Sequence, residues 1–171
     1  MTRIRDARKS AVYESESMVR CMFDRADERG IRTVEVGGSH LTLPIERRFA
    51  SIESVQHYVD SVLALGWVRD RWPRAAVPVR VRTRAGNTAA HYESDCATIA
   101  LPAHHANHAW AFRELVVLHE LAHHLDPQDP DDPTEPAHGL EFVERLLTLV
   151  GEIIGPEAAF ALRVTGITTF G

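Results

Sequence analysis

The segment Val116-Val117-Leu118-His119-Glu120-Leu121-Ala122-His123-His124-Leu125 decides the fold, because it predicts a buried helix with polar groups on one face. Residues four apart in a helix lie one turn apart on the same face, so His119 and His123 can present two imidazoles to one ion. Glu120 follows about 100° further round the helix, where it can polarise a water without being a ligand. These three side chains predict a zinc site of the hydrolytic kind, with Glu120 as the base.

The residues around this motif are almost all apolar. Between Leu115 and Leu125 the only charged residue is Glu120. A helix that is apolar nearly all round is buried, and burying two histidines and a glutamate without partners would be costly. A metal ion with its bound water removes that cost; the alternative is a buried helix whose histidines are hydrogen-bonded. His124 points about 100° away from His123, so we expect it beside the site or on the surface and not on the metal.

A catalytic zinc ion usually has three protein ligands and one open position, so a third ligand is needed. The preferred candidate is His138, at the start of His138-Gly139-Leu140-Glu141-Phe142, where the glycine would allow a close approach of the backbone. Glu141 and Glu144 are alternatives, as glutamates from the next helix. Asp129 is a further alternative, although the glycine turn that its spacing requires is replaced by Asp-Pro.

The stretches from Val117 to Leu125 and from His138 to Phe142 resemble the minimal zincins of the SprT-like kind. In those proteins the helix motif is followed, after a variable loop, by a histidine in a His-Gly-x-x-Phe context. Residues Tyr92 to Pro102 are similar to the strand region that precedes their metal helix. The chain most resembles small metallohydrolases of actinobacteria, which are named for this motif and not for a substrate. The resemblance covers about residues 75 to 150 and implies a zincin-like domain that binds Zn²⁺. The zinc ribbon of SprT-like proteases has no counterpart here, so no DNA-linked role is implied.

Length and charge set wider bounds. A chain of 171 residues predicts a single domain, residues 1–171, with a sizeable core. The net charge of −5 argues against broad binding to nucleic acid or to an anionic membrane. Arg80, Arg82 and Arg84 alternate with less polar residues, which predicts a half-exposed strand with a solvated basic face. A groove for a polyanion is the alternative, to which a second arginine cluster at residues 69–74 would contribute.

Cys21 and Cys96 are the only cysteines, and no charged-then-apolar leader precedes the first predicted helix. Two thiols without a disulfide framework are typical of a reducing compartment, so we expect a cytoplasmic protein. Apolar runs are too short to span a bilayer. We expect Cys96 to be a small buried residue, the alternative being that it borders the cleft.

Periodicity and turn residues predict an α+β fold, with one small mixed or antiparallel sheet packed against several helices.

The first helix has a predicted apolar stripe that includes Met18, and a later helix has one that begins at Leu140. The acidic, proline-rich segment 126–137 is expected to be a stiff loop, since its carboxylates lack the pattern of a calcium loop. The predicted elements are helix 3–29, strands 31–36 and 41–43, a helix from the N-cap Ser51 to Gly66, strands 77–83 and 97–101, the metal helix from the N-cap Asn107 to about Leu125, and helices from 140 and from Pro156.

The predicted function is a zinc-dependent hydrolase, with a peptide as the first candidate substrate and a small non-peptide amide or ester as the second. A different class of function, a binding or regulatory module in which zinc is structural, is disfavoured because such a site needs no base. A peptide could pair with the strand at residues 97–101. The candidate donors to a developing oxyanion are Tyr92, His104, His108 and Arg163.

Overall fold

The computed structural model describes residues 6–86, 89–103, 110–128 and 134–168. Within these ranges the chain forms six α-helices and five β-strands, which confirms the α+β class. The chain divides into two compact units: the central unit, residues 47–134, and the terminal unit, residues 1–46 and 135–171. The single domain expected for residues 1–171 stays a prediction. In chain order the elements are α1 Lys9–Arg29, β1 Thr33–Val36, β2 Ser39–Thr42, α2 Ile52–Leu63, α3 Gly66–Arg71, β3 Arg80–Arg84, β4 His91–Glu93, β5 Thr98–Pro102, α4 Glu114–His124, α5 Leu140–Ile153 and α6 Pro156–Val164.

A three-stranded mixed sheet forms the centre of the central unit. Its strand order is β3-β5-β4, with β5 parallel to β3 and antiparallel to β4. All five residues of β5 are buried, as expected of a strand with neighbours on both sides. The expectation that a peptide substrate adds to residues 97–101 is therefore wrong, because both edges of this strand are already paired. Among the described residues, the edges of this sheet are β3 and β4.

Helix α2 covers the outer edge of β3. Its N-terminus is capped by Ser51, as predicted: the Ser51 hydroxyl accepts from the backbone N–H of Ser54 at 3.2 Å, and the Ser54 hydroxyl accepts from the N–H of Ser51 at 3.1 Å. The Gln56 amide accepts from the N–H of Val81 at 2.7 Å and donates to the carbonyl of Val79 at 2.8 Å. These bonds occupy backbone groups that an edge strand would otherwise expose. The prediction that Gly66 ends α2 is wrong, because α2 ends at Leu63 and Gly66 begins α3.

Helix α4 contains the motif at residues 119–123 and packs against α2 and β4 within the central unit. All of its residues are buried except His123, which is half-buried. The helix begins at Glu114 with Arg113 in the extended N-cap conformation, so the predicted N-cap at Asn107 is wrong; Asn107 itself lies outside the described residues. The predicted end near Leu125 is confirmed.

In the terminal unit, α6 packs against both α5 and α1, and β1 and β2 form an antiparallel hairpin. The hairpin is a second sheet, so the expectation of only one sheet is wrong. Its turn is made by Gly37 and Gly38, with φ angles of 57° and 77° that L-residues rarely adopt. Met18 and Leu140 are exposed, contrary to the predicted apolar stripes. No helix in the described ranges has the length and apolar character needed to cross a membrane.

Cys96 is exposed, so the expectation of a buried cysteine is wrong. It ends a 3₁₀ turn, Ser94–Cys96, and therefore precedes the buried strand instead of belonging to it. Its Sγ lies 3.6 Å from a carboxylate oxygen of Glu93. Glu93 in turn pairs with Arg82 of β3, and this contact lowers the pKa of the Glu93 carboxyl.

Candidate metal centre

The two histidines of the motif meet on one face of α4. The Nε2 atoms of His119 and His123 are 3.2 Å apart, and their ring centroids are separated by 5.0 Å with the planes inclined at 68°. His119 is 2% exposed. The predicted juxtaposition of these imidazoles is therefore confirmed, and it follows from their spacing of one helical turn.

The spacing of the two nitrogens fits a tetrahedral metal ion. Two ligand nitrogens at roughly 2.0–2.1 Å from one zinc ion with a tetrahedral angle between them are about 3.3 Å apart. The observed 3.2 Å agrees with that value without any movement of the backbone. Neutral imidazoles are ligands that zinc prefers, so the donor set is also chemically suitable. An imidazole–imidazole hydrogen bond has a similar length, and metal analysis distinguishes the two.

Glu120 is 4% exposed, although it carries a carboxylate. Carboxylates are seldom buried this deeply unless a partner compensates for the loss of hydration. Its position next to His119 in the helix places its Cα about 100° round the axis from the histidine face. A base that acts on a metal-bound water must lie close to the metal ligands without being a ligand itself. The position of Glu120, next to His119 but off the helix face of the two histidines, meets this requirement.

His138 lies in the terminal unit, immediately before α5, and is 5% exposed. Its ring packs edge-on against Phe142 with centroids 4.9 Å apart, and it also contacts the ring of Tyr13 at 5.4 Å. Gly139 is the N-cap of α5, and a Cβ there would lie 3.0 Å from the carbonyl oxygen of Pro136. The expected close approach of the backbone at Gly139 is therefore confirmed, and a larger residue would displace the loop that carries His138.

The alternative third ligands differ from His138 in burial. Glu141 and Glu144 lie on α5 with exposed side chains. A carboxylate that ligates zinc in a hydrolytic site is normally shielded from bulk water, so exposure disfavours both. Asp129 lies outside the described residues.

His124, next to the motif, belongs to a separate buried network in the central unit. Its Nε2 lies 3.0 Å from the carbonyl oxygen of Arg74 and 3.1 Å from that of Val77, and carbonyls only accept hydrogen bonds. Nε2 therefore carries the proton, and Nδ1 accepts from the Tyr92 hydroxyl at 2.9 Å. Burial, followed by the nearby charge of Arg74, lowers the pKa of His124 to about 4 and keeps the imidazole neutral at pH 7. His124 is fully buried, so it is not a surface residue.

Arg74 completes this network by holding the C-terminal end of α4. Its Nε donates to the carbonyl of His124 at 2.7 Å, and its Nη2 donates to the Tyr92 hydroxyl at 3.2 Å. The last carbonyls of a helix have no partner within the helix and carry partial negative charge, so a guanidinium is well placed there. This role of Arg74 could not be predicted from the sequence, because 50 residues separate Arg74 from His124.

Glu114 holds the other end of α4. Its side chain is fully buried and accepts from the Arg47 guanidinium at 2.7 Å, from the Arg47 backbone N–H at 2.9 Å and from the Tyr58 hydroxyl at 2.8 Å. Its own N–H donates to the Arg47 carbonyl at 3.0 Å. The hydrogen bond to Glu114, with its charge, raises the pKa of Arg47. Polar contacts within the central unit thus fix both ends of the helix that carries His119 and His123.

The candidate oxyanion donors are placed differently. Tyr92 lies on β4 with its hydroxyl in the network with His124 and Arg74, and burial raises its pKa. Arg163 is exposed on α6. His104 and His108 lie outside the described residues. The Tyr92 hydroxyl is therefore engaged in a structural hydrogen bond to His124 of α4.

Comparisons with protein-family models, with curated proteins and with solved structures find no match for this chain. The resemblance to SprT-like zincins therefore depends on the sequence itself, that is, on Val117 to Leu125, His138 to Phe142 and the strand region Tyr92 to Pro102.

Proposed function

We propose that the protein is a zinc-dependent hydrolase whose ligands are His119, His123 and His138, with peptides as the first candidate substrates. The observation that carries the proposal is the 3.2 Å approach of the Nε2 atoms of His119 and His123 on a buried helix that also buries Glu120. Two ring nitrogens at the separation expected for zinc, with an adjacent buried carboxylate, match the needs of metal-assisted hydrolysis.

The chain's own residues have distinct tasks in this proposal. Bound zinc would supply a water ligand whose pKa lies near neutrality, and would polarise the substrate carbonyl. Glu120 takes a proton from the attacking water and delivers it to the leaving group. His119 and His123 hold the ion from one helical turn, so their relative position changes little during turnover. The buried position of Glu120 keeps the carboxylate away from bulk water.

The first experiment combines metal analysis with a base-deficient variant. Protein purified without chelator should contain about one zinc ion per chain, because three imidazoles and a water complete a tetrahedral site. Glu120→Gln should keep the zinc and the fold while turnover falls by two orders of magnitude or more, since the amide preserves shape but cannot accept the proton. A panel of peptides, small amides and esters identifies the substrate class.

Glu141→Gln is the matched control, because Glu141 is an exposed glutamate on α5. Its turnover should equal that of the wild type. Protein without transition metal contradicts the proposal, as does wild-type turnover in Glu120→Gln. Zinc binding without hydrolysis of any substrate in the panel would instead support a metal-stabilised binding module, and would overturn the hydrolase assignment.

A further inference from the structure

An aspartate near the start of the chain contacts His138. The Nδ1 atom of His138 lies 2.6 Å from Oδ2 of Asp6, although 132 residues separate the two in sequence. Asp6 precedes α1, and both residues belong to the terminal unit. The side chains are 6% and 23% exposed for His138 and Asp6, so the pair is largely shielded from water. A short, shielded contact between an imidazole and a carboxylate is stronger than a surface ion pair.

The contact determines which nitrogen of His138 carries a proton. A carboxylate only accepts hydrogen bonds, so the proton between the two groups resides on Nδ1 when the imidazole is neutral. Nε2 of a neutral imidazole then has the lone pair, and it is the nitrogen that a metal would use. Histidines that bind zinc usually donate their other N–H to a carboxylate, a carbonyl or water in this way, which raises their basicity.

The surroundings fix the ring as well as its tautomer. Phe142 and Tyr13 contact the His138 ring at centroid distances of 4.9 Å and 5.4 Å. Aromatic packing restricts the ring plane but does not distinguish the two nitrogens, whereas the carboxylate does. Asp6 therefore supplies the part of the orientation that packing cannot supply.

The second oxygen of Asp6 gives an independent indication. Oδ1 is buried, and it has no hydrogen-bond partner among the residues that the structure describes. A buried carboxylate oxygen without a partner is unfavourable unless positive charge lies nearby. A divalent cation bound to Nε2 of His138 would provide such charge, because it makes the imidazole that faces Asp6 more positive.

We infer that Asp6 is a positioning residue for zinc, which holds His138 in the Nδ1–H tautomer and directs Nε2 to the ion. This inference depends on the proposed function, because it takes His138 as a ligand. Asp6 is not a catalytic residue here, since it acts only through His138.

Zinc affinity tests the inference, measured at pH 7 by competition with a chromophoric chelator. Asp6→Asn keeps the shape of the side chain but removes its charge, and Asp6→Ala also removes the acceptor. Zinc affinity should fall by about 10-fold in Asp6→Asn and by up to about 100-fold in Asp6→Ala. Asp27→Asn is the control, because Asp27 makes an ion pair of the same 2.6 Å length in the same unit, but with Arg32. Its zinc affinity should be unchanged.

A second readout follows the tautomer directly. Long-range ¹H–¹⁵N spectra of the metal-free wild type should show His138 protonated on Nδ1, and the Asp6→Ala spectrum should show a mixture of tautomers. A wild-type His138 protonated on Nε2 overturns the inference, even if an Asp6 variant does not fold. Wild-type zinc affinity in folded Asp6→Asn and Asp6→Ala overturns it too, while the proposed function stands. A wild type that binds no zinc overturns both.

Discussion

At the residue scale, two adjacent histidines have opposite roles. His123 is half-buried with its Nε2 beside that of His119, whereas His124 is fully buried and bonded to Tyr92 and two backbone carbonyls. The side chains diverge by about 100° because they are consecutive in a helix. His123 therefore faces the candidate metal position, and His124 faces β4 and the 3₁₀ turn at Pro73–Ala76. Helix geometry predicts this divergence from the sequence, but it does not identify the partners of His124.

This division predicts opposite effects of two matched substitutions. His123→Ala should lose zinc with little change in the stability of the metal-free protein, because it removes a ligand from a half-buried position. His124→Ala should keep about one zinc per chain but lower the free energy of unfolding by roughly 2–4 kcal/mol, through a cavity and unpaired groups on Tyr92 and two carbonyls. Metal analysis and urea denaturation with chelator measure the two quantities. Loss of zinc in His124→Ala, with retention in His123→Ala, would show that the roles are reversed.

At the element scale, α4 is held by different chemistry at its two ends. Glu114 accepts three hydrogen bonds at the N-terminus, and Arg74 donates to a terminal carbonyl at the C-terminus. Each charge has the sign that the partial charges of a helix favour at that end. Contacts with other protein groups therefore fix the position of α4, which is what a preorganised ligand pair requires.

Glu114→Gln should reveal how much the N-terminal contact contributes. The amide keeps the size of the side chain. Both carboxylate oxygens of Glu114 accept hydrogen bonds, however, and an NH₂ group in place of one oxygen cannot accept, so at least one buried hydrogen bond is lost. We expect the free energy of unfolding of the zinc-free protein to fall by roughly 1–3 kcal/mol. The exposed Glu141→Gln should change it by less than about 0.5 kcal/mol. Equal midpoints for the two variants in chemical denaturation would mean that Glu114 does not anchor the helix.

At the scale of the whole molecule, local patterns predicted the elements better than the contacts between them. The period of the apolar residues predicted α1, α2, α4 and α5, and the N-cap predicted at Ser51 is confirmed. Boundaries were wrong where one residue type has two uses: Gly66 suits a helix end but begins α3. The central position of β5 was also missed, since apolar content shows burial but not strand order.

The candidate site shows the same limit. The approach of His119 to His123 could be predicted because helical geometry places residues four apart on the same face. Asp6, Arg74 and Glu114 could not, because each contacts a residue far away in sequence and no periodic pattern marks a single polar partner. The positions of supporting residues of this kind depend on the tertiary structure, which brings together residues that are distant in the chain.

The assignment of His138 as third ligand predicts how zinc changes the stability of the whole molecule. An ion that binds only the folded state stabilises it by about 4 kcal/mol at a thousandfold excess over its Kd. For a chain of 171 residues this corresponds to a rise in melting temperature on the order of 10 °C. His138→Ala should lose most of the rise, because two imidazoles bind zinc much more weakly than three. Glu141→Ala and Glu144→Ala, which remove exposed carboxylates, should retain it in full. Calorimetry with zinc and with chelator measures the rise in melting temperature for each variant. If His138→Ala keeps the full rise and one of the glutamate variants loses it, that glutamate and not His138 is the third ligand.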